Sequence, residues 1–594
     1  MCGIVGYIGN KEAHPILLNS LKRLEYRGYD SCGIAVLHGK LQIYKDAGKV
    51  EKLEKALPPG RGKIGIGHTR WATHGKPCAE NAHPHRDCSG KIAVVHNGVI
   101  TNFHKLKEEL IAEGHQFCSE TDTEVMPHLI EKYYQGDLEE AVRRALQEVR
   151  GSYALIVLHE ECEQLVAARK ECPLILGIGD KENFIASDVP AVLDYTDRVI
   201  YLEDDDFTVV TKERVRITNN GKGVTRTEHR IPWSVEEAEK SGYEHFMLKE
   251  IHEQPRVIRD TFRGYLSSVE PVIDLGIAHR GEFEDIIFIA CGTSYHAALI
   301  GKHLIEKLTR TPARVELASE FNYSDVVLRK TWAVGITQSG ETADTLRALK
   351  KARELGCETM AITNVVGSSV TRIANQIFYI RAGPEISVAA TKSFVGQLIA
   401  LYLLALSSAT VDVRTRDRLI TELRLLPNRV QRLLDEEASI AQCGKFLSGY
   451  ENVFFVARGI NLPVALEGAL KLKEISYIHA EGYAVGELKH GPFALLTPHT
   501  PVVAVATQDN TYEVLLANLK EIKARESPLL ALAEEGDREI EKFVDFIIRV
   551  PQVDPLFSPV VNAVALQLLA YYTAKERGCP IDQPRNLAKS VTVE

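Results

Sequence analysis

No uninterrupted apolar run in this 594-residue chain reaches 18 residues. The longest candidate, Leu398 to Ser407, has the length of a buried core helix, so no membrane span is expected. The 11 cysteines are scattered from Cys2 to Cys579, with no Cys-x-x-Cys and no cysteine–histidine cluster at zinc spacing. Such scatter argues for reduced thiols rather than a disulfide framework, and neither a metal nor any other cofactor is predicted. The N-terminus lacks the basic-then-apolar shape of a signal peptide, so a cytoplasmic location is expected. Positive charge is not in excess either: 71 Lys and Arg face 80 Asp and Glu. The net charge of -9 argues against nucleic acid as a partner.

What is present reads as several globular domains. The length is too great for one core and implies three or four, and 45% hydrophobic with 25% charged residues is ordinary for soluble folds. Residues 1–225 carry short apolar stretches (Ile4–Ile8, Ile34–Val36, Ile64–Gly67, Ile92–Val95, Ala154–Leu158, Leu165–Ala168) separated by glycine-rich turns. Many short strands with few crossovers predict antiparallel sheets. Residues 226–270, charged between Pro232 and Pro255, read as a linker with a short helix.

From residue 271 the pattern changes. Ile286–Ala290, Trp332–Ile336 and Thr359–Ile362 each lead into a helical segment, the signature of a parallel sheet covered on both faces. The pattern then runs again. Phe288-Ile-Ala-Cys-Gly292 returns as Phe455-Val-Ala-Arg-Gly459, and Glu320 follows Gly292 by the same 28 positions that separate Glu487 from Gly459. Ile336-Thr-Gln-Ser339 returns as Ala506-Thr-Gln-Asp509. A tandem duplication of an α/β domain follows, over 271–412 and 440–578, with 579–594 as a C-terminal tail.

Cys2 stands directly behind Met1. Removal of Met1 would put a thiol and an α-amine on one residue, and an amine titrating near ~8 can serve its own side chain as base. Four polar segments accompany it: Tyr26-Arg27-Gly28-Tyr29-Asp30-Ser31, His68-Thr-Arg70-Trp71-Ala-Thr-His74-Gly75, Val95-His-Asn97-Gly98, and Glu120-Thr-Asp122-Thr-Glu124. Asn97 with Gly98 offers a side-chain amide beside an unobstructed N–H for an oxyanion. Arg70 and Asp122 are candidates for the carboxylate and ammonium of an amino-acid substrate. Each also has an ordinary reading, as hairpin turn, solvated charge and helix cap.

These segments resemble the glutamine amidotransferases with an N-terminal cysteine nucleophile. The resemblance implies a four-layer αββα N-terminal-nucleophile hydrolase fold over 1–225. It further implies that Cys2 attacks the glutamine amide, that Asn97 and Gly98 form the oxyanion hole, and that Arg70, His74 and Asp122 hold glutamine. Arg27 would support the surroundings of Cys2, Trp71 would gate the ammonia path, and His83 would lie in a mobile loop closing over the site.

In the second half, Cys291-Gly-Thr-Ser294 and Thr337-Gln-Ser-Gly-Glu-Thr342 each join a strand to a helix. Hydroxyls and free N–H groups at two such junctions could converge on one phosphate, and the lack of a Walker lysine favours a sugar phosphate over a nucleotide. Thr-x-Ser-Gly-Glu-Thr after a strand resembles the sugar-isomerase domain. From end to end, through Glu467-Gly-Ala-Leu-Lys-Leu-Lys-Glu474, Gly-Glu-Leu-Lys-His490-Gly-Pro and the tail Pro584 to Glu594, the chain resembles the isomerising glutamine–fructose-6-phosphate aminotransferase family. By that resemblance the fold is α/β multidomain, with two tandem sugar-isomerase α/β sandwich domains built on parallel sheets. Glutamine and fructose 6-phosphate are the implied substrates. Lys589 would form a Schiff base with the ketose, and Glu474 would shuttle a proton. His490 would open the sugar ring from the neighbouring subunit of a homodimer. Thr293, Ser294, Thr337, Gln338, Ser339, Thr342, Val388, Lys471 and Ala588 would line the sugar-phosphate site. Two positions depart from the family pattern: Thr337 and Ala390 both stand where serine is expected, and the second loses a hydroxyl.

Two other readings make different demands. Another amidotransferase would need an acidic phosphoribosyl loop or a nucleotide loop, and neither is found. A sugar-phosphate-sensing regulator would need neither Cys2 nor the pair Glu474 and Lys589.

Overall fold

The strand Gly3–Ile8 is buried at every position because both of its faces are covered. Ile4 and Ile8 join a core shared with Ala93, Val95, Ile156 and Leu165, whereas Val5 and Tyr7 pack with Leu17 and Leu21 of the helix Ala13–Lys22. Period-two alternation thus turns one strand into the contact between two layers.

In the computed structural model, which describes residues 2–58, 62–72, 75–231, 240–267, 270–276 and 283–592, the chain divides into two compact units. The first comprises Met1–Ala238 with the tail Ala588–Glu594, and the second Glu239–Leu587.

The first unit stacks an eight-stranded and a seven-stranded sheet, and every strand pairing within them is antiparallel. Gly3–Ile8 and Ile64–Arg70 are neighbours in the larger sheet, and Ile92–Ile100 pairs with Gly151–His159 in the smaller. Three apolar clusters correspond to three interfaces. One lies between the sheets, and one lies under the helix Ala13–Lys22. The third lies under the helices Phe103–Ala112, Val125–Tyr133 and Leu138–Glu148. The result is the αββα sandwich expected for an N-terminal-nucleophile hydrolase.

The second unit contains two five-stranded parallel sheets. Their spatial orders are Ala313–Leu317, Asp285–Ala290, Thr331–Thr337, Glu358–Thr363, Gln376–Tyr379, and His479–Ala484, Asn452–Ala457, Val502–Ala506, Leu529–Glu534, Phe546–Val550. In each, the second strand in sequence sits outside the first, so both domains share the order 2-1-3-4-5. The sequence repeat is a repeat of topology. One continuous core joins them, with Phe288 and Val334 on one side and Phe455 and Val503 on the other.

Two segments differ from the sequence reading. The expected linker 226–270 contributes the helices Phe246–His252 and Gln254–Phe262 to the second unit, where Met247, Ile251, Val257 and Ile258 are at most 1% exposed. Residues 232–239 of that segment lie outside the described residues. The helix Pro555–Glu576 is long and apolar enough to cross a membrane by composition, exceeding the stretch Leu398 to Ser407. Its most apolar window is 94% buried, which marks it as a core helix.

Candidate functional site

The first site forms where the start of Gly3–Ile8 meets the end of Ile64–Arg70 and the latter half of Ile92–Ile100. Cys2 Sγ accepts the Trp71 N–H at 3.3 Å and faces the Trp71 carbonyl at 3.6 Å. Asn97 Nδ2 donates to the Cys2 carbonyl at 2.8 Å, and its Oδ1 lies 3.1 Å from His68 Nε2. Gly98 has φ +125°, and a Cβ there would lie 2.1 Å from the Ser152 carbonyl, so glycine is required beside the amide.

Arg27, 5% exposed, donates from Nη1 to Asp188 at 2.6 Å and from Nε to the Cys2 carbonyl at 3.4 Å. Tyr26 binds the same Asp188 oxygen at 2.6 Å. Arg70, 3% exposed, donates to the Gly75 carbonyl at 3.1 Å. Burial lowers its affinity for a proton, and the acidic groups of Asp30 and Asp122 nearby oppose that. Asp122 accepts the Ile100 N–H at 2.8 Å at the start of a short helical turn. His74 lies outside the described residues.

The sequence reading put His83 in a loop over the site; it lies just before the strand His85–Arg86, with its ring 4% exposed and stacked on His68 at 4.0 Å. His85 sits edge-on to it at 4.7 Å, and His96 binds Thr123 at 2.8 Å. Burial pushes His68 down to about 3 and lowers His83, His85 and His96 as well, so all four rings are neutral at physiological pH. Among the described residues, positive charge near the thiol therefore comes from Arg27 and Arg70.

The second site lies in the second unit, at the reversal point of its first sheet. Strand orders of the 2-1-3-4-5 kind open a crevice beyond the carboxyl ends of strands one and three. Those ends here are Ala290, leading into the helix Gly292–Thr309, and Thr337, leading into Ala343–Glu354. Thr337 Oγ1 lies 3.1 Å from Thr342 Oγ1 and accepts the Gly340 N–H at 3.3 Å. Gly340 has φ +68°, and a Cβ would lie 2.0 Å from Ser368 Oγ. Ser294 accepts from Gln397 at 3.0 Å, and the Val388 N–H donates to the Asp582 carbonyl at 3.0 Å.

Lys471 and Glu474 come from the helix Leu462–Ser476 of the second repeat. Lys471 Nζ, 1% exposed, donates to Thr293 Oγ1 at 3.0 Å and pairs with Glu474 at 2.6 Å and Glu467 at 3.4 Å. Thr293 in turn donates to Glu467 at 3.0 Å, and His296 meets that carboxylate at 2.7 Å. His490 is exposed on the turn Val485–His490. Ala588 and Lys589 are half-buried in the tail grouped with the first unit.

The equivalent reversal point of the second repeat is filled by its own side chains. Asn461 Nδ2 donates to Thr507 at 3.1 Å and Ser558 at 2.8 Å, while Asn562 donates to Asn461 at 3.0 Å. Asp509 stands where the first repeat has Ser339, and its charge opposes a phosphate. Only the first copy keeps hydroxyls at both loop ends.

Residues 68–194 match the glutamine amidotransferase domain, and 283–407 and 446–577 match the SIS domain. Glutamine–fructose-6-phosphate aminotransferases (isomerizing) of Methanosarcina acetivorans and Caldanaerobacter subterraneus are 51% and 50% identical, each with 100% of both chains covered. The chain belongs to the glutamine–fructose-6-phosphate aminotransferase family. The relative from Thermus thermophilus is 48% identical over the same full coverage. Among solved structures, the C-terminal domain of glucosamine-fructose-6-phosphate aminotransferase from Francisella tularensis is similar, at 39% identity and a TM-score of 0.56, covering 58% of this chain and 100% of that one.

Within this aminotransferase family framework, four residues of the sites escaped the sequence reading as individuals. Asp188 and Asp30 lie far in sequence from the groups they hold, Arg27 and the Ala72 N–H. His296 stands three residues after Thr293 on one helix, a spacing that could have flagged it, and Glu467 precedes Lys471 by four.

The Glu467–Lys471 network sets an expected stability profile. Burial alone would raise Glu467, but Lys471, His296 and Thr293 hold it below its ordinary value. Burial would lower Lys471, but Glu467 and Glu474 hold it above its own. Glu467 therefore contributes fully above about pH 4.5 and loses its contribution as pH falls through its lowered value; Lys471 contributes fully below about 10.5 and loses its contribution only on rising past its raised value. Glu467→Gln should cost about 3 kcal/mol by leaving Lys471 under-paired, and Glu467→Gln/Lys471→Met should recover part of it. Urea midpoints of the full-length variants at neutral pH check both; equal midpoints for all would refute the network's role.

Proposed function

We propose that this chain transfers the amide nitrogen of L-glutamine to D-fructose 6-phosphate, releasing L-glutamate and D-glucosamine 6-phosphate, the entry to hexosamine synthesis. The observation that carries this reading is a cysteine whose thiol accepts the Trp71 N–H and whose carbonyl accepts from Asn97, in a chain whose other unit has a hydroxyl-lined reversal point tied to a buried lysine.

In this reading the mature chain begins at Cys2, whose α-amine takes the thiol proton as sulfur adds to the glutamine amide carbon. A primary amide has two N–H bonds; Asn97 gives one to the Cys2 carbonyl, and the other, with the Gly98 N–H, serves the oxyanion. Collapse expels ammonia, and water then hydrolyses the thioester to glutamate. Arg70, His74 and Asp122 hold the amino acid, Arg27 and His83 support its site, and Trp71 gates ammonia toward the sugar.

Thr293, Ser294, Thr337, Gln338, Ser339 and Thr342 hold the phosphate, with Val388, Lys471 and Ala588 around the sugar. His490, supplied by the partner in a cytoplasmic homodimer, opens the ring. Lys589 condenses with C2, and ammonia displaces it. Glu474 then takes a proton from C1 and returns it to C2.

The test is glutamate released from glutamine with and without fructose 6-phosphate, with hexosamine phosphate measured in parallel. The sugar should raise glutamate release, and glucosamine 6-phosphate should appear in equal amount. Glutamate without aminated sugar would identify a different acceptor. Intact mass of the active protein should lack Met1; full activity with Met1 retained would remove the α-amine from the mechanism.

A further inference from the structure

Four donor groups from three separate segments of the first unit meet on the helical side of its smaller sheet. Cys88 sits in the turn between His85–Arg86 and Ile92–Ile100, His115 follows the helix Phe103–Ala112, and His128 and Glu131 are i, i+3 neighbours on Val125–Tyr133. Cys88 Sγ lies 3.6 Å from His115 Nδ1 and 3.5 Å from His128 Nδ1. Glu131 Oε2 lies 3.1 Å from His115 Nδ1 and 3.6 Å from His128 Nδ1. All four donor atoms fall within 4.8 Å of one another.

Tetrahedral zinc, with about 2.3 Å to sulfur and about 2.0–2.1 Å to nitrogen or oxygen, sets its ligand atoms about 3.5 Å apart for sulfur–nitrogen pairs and about 3.4 Å for nitrogen–oxygen pairs. The cluster already has those edges. We propose that Cys88, His115, His128 and Glu131 bind one Zn2+ as a structural site. One thiolate, two imidazoles and one carboxylate suit zinc rather than magnesium or calcium, which take oxygen donors. Thiolate and carboxylate together balance the ion's two charges; the Cys88 proton leaves to solvent on binding, and both imidazoles would ligate as neutral donors. Four protein ligands close the shell and leave no position for a reacting water.

The surrounding contacts orient the ligands. Gln116 N–H donates to Cys88 Sγ at 3.4 Å, and the Cys88 and Ser89 N–H groups hold the two Glu131 oxygens at 3.2 Å each. Phe117 covers His128 with ring centroids 4.5 Å apart. The ion would tie the turn that precedes the Asn97–Gly98 strand to the helix that follows Asp122, bracing two walls of the glutamine site from behind. The sequence spacing conceals this: 27, 13 and 3 positions separate successive ligands, unlike any zinc-finger pattern.

The competing account is a thiol–imidazole–carboxylate hydrogen-bond cluster with no affinity for metal. Full-length protein, stripped with a chelator and titrated with Co2+, should develop a thiolate-to-metal charge-transfer band and the visible bands of a tetrahedral ion. Both should saturate at about one equivalent and be displaced by Zn2+. Cys88→Ser should abolish the charge-transfer band and Cys2→Ala should keep it. His115→Gln, at a half-buried position, should weaken zinc binding by more than about 10-fold, which keeps the test open should Cys88→Ser fold poorly. Zinc should raise the thermal midpoint of the parent but not of Cys88→Ser. No band at stoichiometric Co2+, or a band that survives Cys88→Ser and vanishes in Cys2→Ala, would overturn the proposal.

Discussion

Cys2→Ala is expected to reduce glutamine hydrolysis by on the order of 10⁴-fold or more, the scale seen when a covalent nucleophile is removed. The loss should be in kcat, because the groups proposed to hold glutamine are untouched. Arg70 is anchored by the Gly75 carbonyl and Asp122 by the Ile100 N–H, neither through the thiol. The fold should tolerate the change, since among the described residues the sulfur's hydrogen-bond partners are the two backbone groups of Trp71. Fructose 6-phosphate binding and hexose-phosphate isomerisation should persist, because the hydroxyl loops and the Lys471 network belong to the other unit. Glutamate release followed in the presence of fructose 6-phosphate, with sugar binding by calorimetry, separates the effects. Asn97→Ala should cost less, about 10²–10³-fold, as the loss of one oxyanion donor. Residual hydrolysis in Cys2→Ala within tenfold of the parent would mean that another group attacks the amide.

Much of this architecture was legible because the two halves use different periodicities. Short apolar strands between glycine turns became antiparallel pairs, and strands followed by helices became parallel ones. The repeat was legible because the matching pentapeptides end the first strand of each sheet, where the fold constrains the chain most. Legibility failed where burial ran against composition. Phe246–His252 sits in a charged stretch, yet its Met247 and Ile251 faces are fully covered. Ser558–Glu576 includes Asn562, Gln567 and Thr573, all at most 1% exposed, and polar residues of that kind break an apolar run in the sequence without breaking a core helix. Site residues such as Asp188 and Asp30 were hidden for a third reason: partners brought together by sheet pairing carry no local spacing. Cys88 and His115 are likewise far in sequence from the His128–Glu131 pair they meet, brought to it by helix packing rather than by sheet pairing.

The acceptor chemistry can be divided by two substitutions that should look alike in product formation and unlike in what they trap. Lys589→Arg and Glu474→Gln are each expected to lower glucosamine 6-phosphate synthesis by about 10³-fold while leaving glutamine hydrolysis within a few-fold of the parent. Chain ends are usually mobile, but Ser590 and Thr592 are 8% and 9% exposed, so the segment around Lys589 is held in place. Arginine preserves the charge there and cannot supply a neutral amine. Glu474 is fixed by its 2.6 Å pairing with Lys471, and glutamine would keep its shape without its basicity. Borohydride added with fructose 6-phosphate should therefore label Lys589 in the parent and in Glu474→Gln, where the imine still forms, and should leave Lys589→Arg unlabelled. Deuterium from solvent should enter C2 of the sugar in the parent and be lost in Glu474→Gln. A Lys589→Arg enzyme that still reacts with borohydride would move the imine to another lysine. A Glu474→Gln enzyme that still exchanges C2 deuterium would move the proton shuttle to another base, with the half-buried His296, 2.7 Å from Glu467, next in line within the same network.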